Sequence, residues 1–232
     1  MRKASLLLIA TTFGASLGVT SVVQAAESGP FDIGGQVSIG NDGVVKGVSE
    51  TNGNAQAVGT LTVSKGMFFA GTKVKNVKGS DGSDAQTQLF AGIKGDIAGF
   101  KTGLQFLYKA NQNARPGVDD DFYEWQGDIS RTVDKTTVKY TTVYSADSSG
   151  STKEAWWHDL GVSQKLNTKW TVSGSVGLRR VTPKKDYTAY NLGATYALNK
   201  TTSLDMRYYD TDKHEYGKRF GDRVVLTLSR KF

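Results

Sequence analysis

The sequence contains no cysteine and only two histidines among its 232 residues, and no long apolar run follows residue 23. Without cysteine no disulfide can hold the fold, so an exported chain of this size needs another device, and a closed hydrogen-bonded barrel is one. Two histidines leave little material for a general base, which argues against an enzyme. Without an apolar run of about 18 residues, transmembrane helices are excluded. Membrane strands remain compatible with a polar average, because only alternate residues of a barrel strand face lipid.

The start of the chain has the pattern of an export signal. A basic pair, Arg2-Lys3, is followed by a largely apolar stretch over residues 6–23 and by the small-residue cleavage site Val23-Gln24-Ala25. Residues 1–25 are therefore predicted to be a signal peptide that is removed, and residues 26–232 to form one outer-membrane barrel domain. Because no cysteine follows the apolar stretch, lipoprotein processing is excluded.

The charge balance is basic. Lysine and arginine outnumber aspartate and glutamate, 29 to 22, which gives a formal net charge of +7. Removal of the signal peptide lowers this charge to +5, since the peptide carries two basic residues and no acidic one. An exported protein does not meet nucleic acid, so the expected partners are outer-membrane lipid, lipopolysaccharide and small hydrophilic solutes, anions among them. No cofactor is expected, and the oligomeric state is left open.

From Phe31 onward the chain consists of segments of about ten residues in which apolar and polar side chains alternate, which is the pattern of β-strands. Twelve strands are predicted, near residues 32–41, 55–65, 67–77, 85–97, 99–110, 121–132, 135–146, 155–166, 169–180, 186–198, 201–211 and 222–232.

The breaks between the predicted strands are alternately short and long. Ala98-Gly99 and Asn167-Thr168 are examples of the short breaks, whereas Asp42–Asn54 and Asn111–Asp120 are long and rich in polar residues and glycine. Strict alternation of this kind is typical of outer-membrane barrels, which have short periplasmic turns and longer external loops. The sequence therefore predicts an all-β fold, a single antiparallel transmembrane barrel of about twelve strands.

Aromatic residues favour this barrel over a soluble β-sandwich, whose strands would alternate as well. One group lies beside the short turns and a second group lies nearer the long loops. Two girdles at opposite ends of the strands are what aromatic side chains form at the two interfaces of a membrane. The predicted interface anchors are Phe68, Phe100, Trp170 and Phe232 at the short turns, and Tyr108, Tyr123, Tyr144, Trp156, Tyr187 and Tyr208 near the long loops.

The chain ends on an alternating strand whose last residue is Phe232. Its more apolar face carries Val224, Leu226 and Leu228 together with Arg230. In a transmembrane barrel the last strand must pair with the first, because an open edge would leave backbone groups unsatisfied in lipid. The strand near 222–232 is therefore predicted to close the barrel, with Phe232 at the periplasmic interface.

Several short motifs spread over most of the chain resemble one known family. They are Gly47-Val-Ser49, Phe69-Ala-Gly-Thr72 with Asn76-Val77, Tyr208-x-Asp-Thr-Asp212 and Asp222-Arg-Val-Val-x-x-Leu-Ser-Arg-x-Phe232. The chain resembles the proteobacterial TorF-type family of outer-membrane porins, the short TorF/Gcw-type barrels. Members usually carry an arginine before the Gly-x-Ser motif, and Lys46 stands in that place here. The resemblance implies a barrel and a porin, and it brings no established catalytic residue.

The alternation of side chains along each strand also predicts which charges face the interior. A net-positive wall would favour anions, because it lowers the energy of their passage. Lys94, Arg179 and Arg207 lie well inside their strands and are the first candidates for selectivity. The alternative is that the charges pair across strands and side chains fill the interior. The charges predicted to face inward are Lys73, Lys75, Lys94, Lys101, Lys109, Lys139, Lys165, Arg179 and Arg207, and Asp96, Glu124, Asp128, Asp159 and Asp205.

Enzyme and metal sites are the weaker hypotheses. His158 follows two tryptophans and has lipid-facing parity with no serine opposite, so it is interpreted as part of an interfacial aromatic belt. His214 lies in a long loop. The acidic runs Asp119-Asp120-Asp121 and Ser80–Asp84 supply oxygen ligands without the spacing of a calcium loop. No catalytic, cofactor-binding or metal-binding residue is predicted.

These observations favour a channel in the outer membrane of a Gram-negative bacterium, which gives small hydrophilic solutes passive passage with a mild anion preference. A competing hypothesis is a plugged structural or adhesive barrel whose external loops bind surface partners. A third, a lipid-modifying barrel enzyme, would lose its activity on His158→Ala.

Overall fold

The computed structural model describes residues 31–148, 152–183 and 185–232, so the predicted signal peptide lies outside the described residues. Two short 3-10 helices, His214–Tyr216 and Lys218–Phe220, precede the last strand. None of the helices within the described residues has the length and the apolar character that a membrane crossing requires. The strands are β1 (Asp32–Gly40), β2 (Val44–Val45), β3 (Val48–Ser49), β4 (Gln56–Lys65), β5 (Phe68–Asn76), β6 (Ala85–Ile97), β7 (Phe100–Gln112), β8 (Asp121–Val133), β9 (Thr136–Ser145), β10 (Ala155–Lys165), β11 (Trp170–Val181), β12 (Tyr187–Ala197), β13 (Thr202–Thr211) and β14 (Arg223–Lys231).

Strand β1 and strands β4 to β14 form one closed antiparallel barrel, and β2 and β3 form a separate small hairpin. The predicted all-β fold, a single antiparallel barrel of twelve strands, is therefore confirmed. Each barrel strand pairs with its neighbours in chain order. The predicted strand bounds differ from the observed ones by at most two residues. The period-two pattern sufficed here because nearly every barrel strand has one apolar and one polar face.

The barrel closes between β1 and β14, where Gln36 lies opposite Lys231. Phe232 extends this seam, because its N–H donates to the Gly35 carbonyl (3.0 Å) and its carbonyl accepts from the Gly35 N–H (2.9 Å). The prediction that the last strand pairs with the first is confirmed. The closure leaves no open edge in the barrel, so its backbone groups are paired all the way round.

Short turns and long loops alternate, so the barrel has a short-turn end and a long-loop end. At the turn between β6 and β7, Ala98 and Gly99 have φ values of 53° and 79°. Two consecutive positive φ values are the geometry of a type I′ hairpin, which suits the twist of the flanking strands. This turn shows why a two-residue break is enough at the short-turn end.

The outer face of the barrel is apolar and the inner face is polar. On β11, for example, Val176 and Leu178 point outward and are exposed, whereas Ser173 and Gly177 point inward and are buried. Exposed large apolar side chains recur on the other barrel strands around the circumference. So large an apolar surface is unusual on a protein in water and is what a barrel presents to lipid.

Most of the aromatic residues assigned to the two girdles lie on this outer face, but Tyr187 does not. Tyr187 is only 8 % exposed and lies inside the barrel, where its hydroxyl donates to the backbone carbonyl of Lys46. Its assignment to the outer girdle is wrong, because position along the strand does not decide which face a side chain occupies. The outward residues are Phe68, Phe100, Trp170 and Phe232 at the short-turn end, and Tyr108, Tyr123, Tyr144, Trp156 and Tyr208 towards the long-loop end.

Candidate functional site in the barrel interior

The first long loop, residues 41–55, folds into the long-loop end of the barrel, and we call its segment β2–β3 the inner hairpin. Val44 and Ser49 of the inner hairpin are buried. Asp42 holds its base, since its Oδ1 accepts hydrogen bonds from Ser49 Oγ (2.7 Å) and Thr51 Oγ1 (2.6 Å). Its Oδ2 accepts another from Arg223 Nη1 of β14 (2.9 Å). The expectation that residues 42–54 form an external loop like the others therefore needs correction.

The tip of the inner hairpin reaches strands remote from β1 and β4, between which the loop begins and ends. Lys46 Nζ lies 2.6 Å from Glu124 Oε1 on β8, and the Lys46 carbonyl accepts the Tyr187 hydroxyl of β12 (2.9 Å). Gly47 at the tip has a φ of 80°, and a Cβ there would lie 2.3 Å from Ala189 Cβ. Only glycine combines this backbone conformation with so close an approach. The inner hairpin thus crosses the interior and docks against the opposite wall.

An apolar cluster forms the docking surface. Leu107, Val143, Trp157, Tyr187 and Ala189 come from strands β7, β9, β10 and β12, and Val48 of the inner hairpin packs against them. A second group joins Val44 to β13 and β14. Burial of apolar side chains away from water stabilises the docked position by roughly 1.5 kcal/mol or more for each fully buried side chain. The long-loop end of the interior is therefore filled by specific packing.

Charged groups surround this apolar contact. Glu124, which is 2 % exposed, accepts Lys46 through Oε1 and Lys109 Nζ through Oε2 at 2.7 Å. Glu50 of the first loop pairs with Lys75 of β5. A buried carboxylate with two ammonium partners has its charge more than balanced, so removing either lysine leaves Glu124 paired.

Burial lowers the pKa of the Lys46 ammonium, which lies in the loop outside the barrel strands, from its usual 10.5 to about 7. Glu124 opposes this shift, whereas Arg179 and Lys109 add to it because they are like charges. Burial raises the pKa of Glu50, but the neighbouring Lys75 more than offsets this, so that pKa lies below its usual value. The loop thus carries an ammonium that gives up its proton easily and a carboxylate that keeps its charge.

The structure brings some of the sequence-predicted charges together with the inner hairpin. Lys73 and Glu124 lie on the inner face near it, and Arg179 is close enough to Lys46 to lower the pKa of that group. The Lys73 ammonium and the Arg179 guanidinium have no hydrogen bond and no ion pair within the described residues. The alternation of side chains along the strands could not predict Lys46 and Glu50 as interior charges, because both lie in the first loop. Two features of the sequence mark this loop. One is the short apolar repeat of Val44, Val45 and Val48 inside an otherwise polar break, and the other is the Gly47-Val-Ser49 motif that Lys46 precedes.

The other predicted charges lie away from the inner hairpin. Lys139 pairs with Asp128 at 3.1 Å. Lys94 lies over the ring of Phe69, 5.9 Å from its centroid. Lys101 stands at the start of β7, beside the short turn. These groups line the half of the barrel that the inner hairpin does not enter.

Arg207 differs from the free wall charge expected of it. Its guanidinium is 1 % exposed and pairs with Asp205 (3.1 Å), and it also donates to Asn191 Oδ1 (2.8 Å) and to Ser173 Oγ (2.9 Å). These contacts compensate the charge and fix the side chain against the wall. Arg207 therefore braces β11, β12 and β13 rather than facing the open lumen.

His158 lies on the outer face, as its parity indicates. Its Nδ1 is 2.8 Å from the Tyr140 hydroxyl and 3.2 Å from Thr142 Oγ1, and Trp156 stacks on its ring. Residues 31–148, 152–183 and 185–232 contain no group of three or more His, Cys, Asp or Glu side chains placed to hold a metal ion.

Comparison with known proteins gives a family and a fold. A family model described as a bacterial protein of unknown function (Gcw_chp) matches residues 24–232. No curated protein matches the chain. The KdgM porin in complex with disordered oligogalacturonate has a TM-score of 0.59 at 8 % identity, over 86 % of this chain and 97 % of that chain.

Two further solved structures are similar. The NanC porin has a TM-score of 0.56 at 12 % identity, over 85 % of this chain and 98 % of that chain. An outer membrane channel from Pseudomonas putida F1 has a TM-score of 0.51 at 12 % identity, over 90 % of this chain and 97 % of that chain. At these identities the similarity shows the fold alone, which is that of a porin-like barrel.

Proposed function

The chain belongs to the Gcw_chp family of bacterial proteins of unknown function, as its motifs indicate, and we propose that it is an outer-membrane channel. It gives small hydrophilic solutes passive passage and mildly favours anions. The observation that carries this proposal is the closed barrel with an apolar outer face and a charged inner face. Such an outer face needs a lipid or detergent environment, and the polar interior offers a path through the membrane.

The anion preference is supported by the charges of the interior. Where Asp128 and Lys139 pair, and where Asp205 and Arg207 pair, the charges cancel. Lys73 and Arg179 are not cancelled in this way within the described part of the chain. A low-dielectric wall concentrates the field of such charges on the passing ion. The acidic oligosaccharide bound to KdgM is in keeping with an anionic solute for this chain as well.

Reconstitution in a planar lipid bilayer tests the proposal. We expect discrete conductance steps, and in a salt gradient a reversal potential on the anion-selective side. Raising the salt concentration should weaken the selectivity, because mobile ions screen the wall charges. A silent bilayer after reconstitution of the folded barrel would contradict the channel.

The inner hairpin favours a second candidate, the plugged barrel with a structural or adhesive role. Its tip is docked by the Lys46–Glu124 ion pair and by the Tyr187 hydrogen bond. Replacing residues 43–50 with a short Gly-Ser linker distinguishes the two functions. A channel narrowed by the hairpin should conduct before the replacement and conduct more after it, whereas a plugged barrel should conduct only after it.

For partners at the long-loop end, we propose lipopolysaccharide. The basic residues Lys185, Lys213, Lys218 and Arg219 lie in the long loops, where phosphate groups of that lipid would meet them. The outward aromatic residues at both ends of the strands would anchor the barrel at the two interfaces. Binding of the purified barrel to lipopolysaccharide vesicles, compared with neutral lipid vesicles, tests this partner.

A further inference from the structure

The interior around the inner hairpin holds more cations than anions. We call this group the basic cluster and define it as Lys46, Lys73, Lys75, Lys109 and Arg179 with Glu50 and Glu124. Contacts and strand register link these groups. Lys46 and Lys109 share Glu124, Lys75 pairs with Glu50, and the Lys46 carbonyl accepts the hydroxyl of Tyr187, which lies opposite Arg179 in register. The basic cluster is therefore one electrostatic unit built from the loop and from strands β5, β7, β8 and β11.

The pairing within the basic cluster leaves a positive excess. Lys75 is matched by Glu50, and Glu124 is shared by Lys46 and Lys109. The Lys73 ammonium and the Arg179 guanidinium have neither a hydrogen bond nor an ion pair with any described residue. An excess of positive charge along a low-dielectric wall is costly, so it attracts a counter-ion.

The two unpaired cations stand at different sides of the basic cluster. Lys73 on β5 faces Gln88 on β6, and Gln88 faces Lys109 on β7, so a neutral amide separates the two lysines. Arg179 on β11 lies between Trp157 on β10 and Tyr187 on β12 in strand register. Trp157 and Tyr187, its neighbours in register, are both buried. The planar guanidinium of an arginine suits bidentate contact with a carboxylate or a phosphate.

We propose that the basic cluster is a binding site for a small multivalent oxyanion, a solute with two or more carboxylate or phosphate groups, held by Arg179 and by the lysines towards Lys73. The site takes its solute from the channel, so its access rests on the function proposed above. A single-charged ion such as chloride satisfies only part of the excess and binds weakly. A multivalent oxyanion satisfies more of it and also uses the planar donors of Arg179.

The inner hairpin is part of this site, because it contributes Lys46. A ligand that binds the docked arrangement and not the undocked one stabilises docking by mass action. The solute should therefore hold the inner hairpin in place rather than release it. The site differs in this respect from a bare charged wall, which would attract anions whether or not the hairpin is docked.

Isothermal titration calorimetry of the folded barrel in detergent, at low salt, tests the proposal without the need for conduction. The probes are citrate and pyrophosphate, with chloride as the reference. We expect both multivalent probes to bind, and Arg179→Gln and Lys73→Gln each to weaken them about tenfold, the effect of losing one charge-assisted contact. A stronger effect of Arg179→Gln on one probe than on the other identifies whether carboxylate or phosphate is preferred.

Lys165→Gln is the matched control, because Lys165 is an inner-face lysine near the short-turn end and outside the basic cluster. It should leave the affinity unchanged. If Arg179→Gln fails to assemble, Lys73→Gln alone carries the test. Absence of binding to the wild type, or an equal loss in Lys165→Gln and the cluster variants, overturns the site.

Single-channel recording separates the site from the channel. Binding by calorimetry together with a silent bilayer supports the site and overturns the channel. Conductance steps without binding, and without block of the current by citrate or pyrophosphate, support the channel and overturn the site. Block of the current that disappears in Arg179→Gln supports both.

Discussion

Lys46 Nζ of the first loop and Glu124 Oε1 of β8 lie 2.6 Å apart inside the barrel, although 78 residues separate them in the chain. The pair joins a segment that begins beside the closing seam to the wall on the far side. It holds the tip of the inner hairpin against strands β7 to β12. The position of the inner hairpin therefore depends on charges that can be changed one at a time.

Glu124→Gln should release the inner hairpin. The substitution leaves two buried ammonium groups, Lys46 and Lys109, without their shared carboxylate, a change that costs roughly 3–5 kcal/mol. We expect larger conductance steps and faster hydrogen exchange at the Glu50 N–H, which donates to the Gly43 carbonyl within the loop. Adding Lys46→Met to Glu124→Gln should restore much of the protection, because one of the two unpaired charges is then gone.

The control for this substitution is Asp147→Asn. Asp147 pairs with Lys153 at 3.3 Å in another long loop, and both side chains are mostly exposed. An exposed pair contributes about 0.5 kcal/mol or less, so conductance and exchange should stay at the wild-type values. Equal behaviour of Glu124→Gln and Asp147→Asn would mean that the buried pair does not hold the inner hairpin.

Docking of the inner hairpin should strengthen as the pH rises from about 7 to about 10. The Lys46 pKa is lowered to about 7 in the docked state and returns towards 10.5 when the loop is in water, so the undocked state binds more protons in this range. Groups that face Lys46 are Glu124, Lys109, Arg179 and Tyr187. Exchange protection of the Glu50 N–H, corrected for the intrinsic rate, should increase in the wild type and stay flat in Lys46→Met. A fall in the exchange protection of the Glu50 N–H over the same pH range would contradict the predicted coupling between deprotonation of Lys46 and docking.

Gly47→Ala should undock the tip of the hairpin. The new methyl group would meet Ala189 Cβ at 2.3 Å, in addition to the strain of a positive φ. Gly53→Ala is a close control, because Gly53 has the same φ of 80° and a Cβ there would meet nothing within 4 Å. The difference in exchange protection between the two variants measures the contact alone, and we expect it to exceed about 1 kcal/mol. Gly47→Ala with Ala189→Gly should recover part of the loss.

Ion selectivity should change when Lys94 and Arg179 are replaced, and hardly at all when Arg207 is replaced. Lys94→Gln with Arg179→Gln removes two interior cations that have no acidic partner in the described residues, so the reversal potential in a salt gradient should shift towards cations at low salt. Arg207→Gln leaves Asp205 without its partner and should lower the stability of the barrel more than it alters selectivity. A larger shift from Arg207→Gln than from the double variant would contradict this order.

Deletion of Phe232 should impair assembly of the barrel. Its backbone makes two hydrogen bonds with Gly35, and its ring covers that glycine so closely that a Cβ on Gly35 would lie 2.5 Å from the ring. The fraction of heat-modifiable, folded barrel in the membrane measures assembly. Phe232→Tyr keeps the ring and the backbone and should assemble normally. A wild-type fraction of folded barrel for the deletion would contradict a role of Phe232 in closure.

The twelve barrel strands were predictable because each carries a local signal, the alternation of apolar and polar side chains. The inner hairpin was not, because its position depends on groups far away in the chain. Val44, Val45 and Val48 are too few to read as a strand, and nothing next to Lys46 in the sequence points to Glu124. A loop that folds into the barrel and a loop that points outward can have the same amino-acid composition, because both have polar residues at their ends.

The alternation of side chains predicts which charged residues face the interior, but it does not predict which of them form ion pairs. The alternation of side chains places Arg207 on the inner face. Its contacts depend on the positions of Asp205, two residues away on the same strand, and of Ser173, two strands away on the same face. The place of Tyr187 was likewise not predictable from its residue type. Its aromatic ring suits a membrane interface or a packed interior equally well, and only the face of β12 on which it lies decides between them.

The anchoring of the inner hairpin has a consequence for the order in which the protein forms. Asp42 is held by Arg223 of β14, and Val44 packs against Tyr209 of β13 and Val225 of β14. Although the inner hairpin lies early in the chain, it cannot make these contacts until β13 and β14 have joined the barrel. The inner hairpin therefore gains its full set of contacts only after these last two strands are in place.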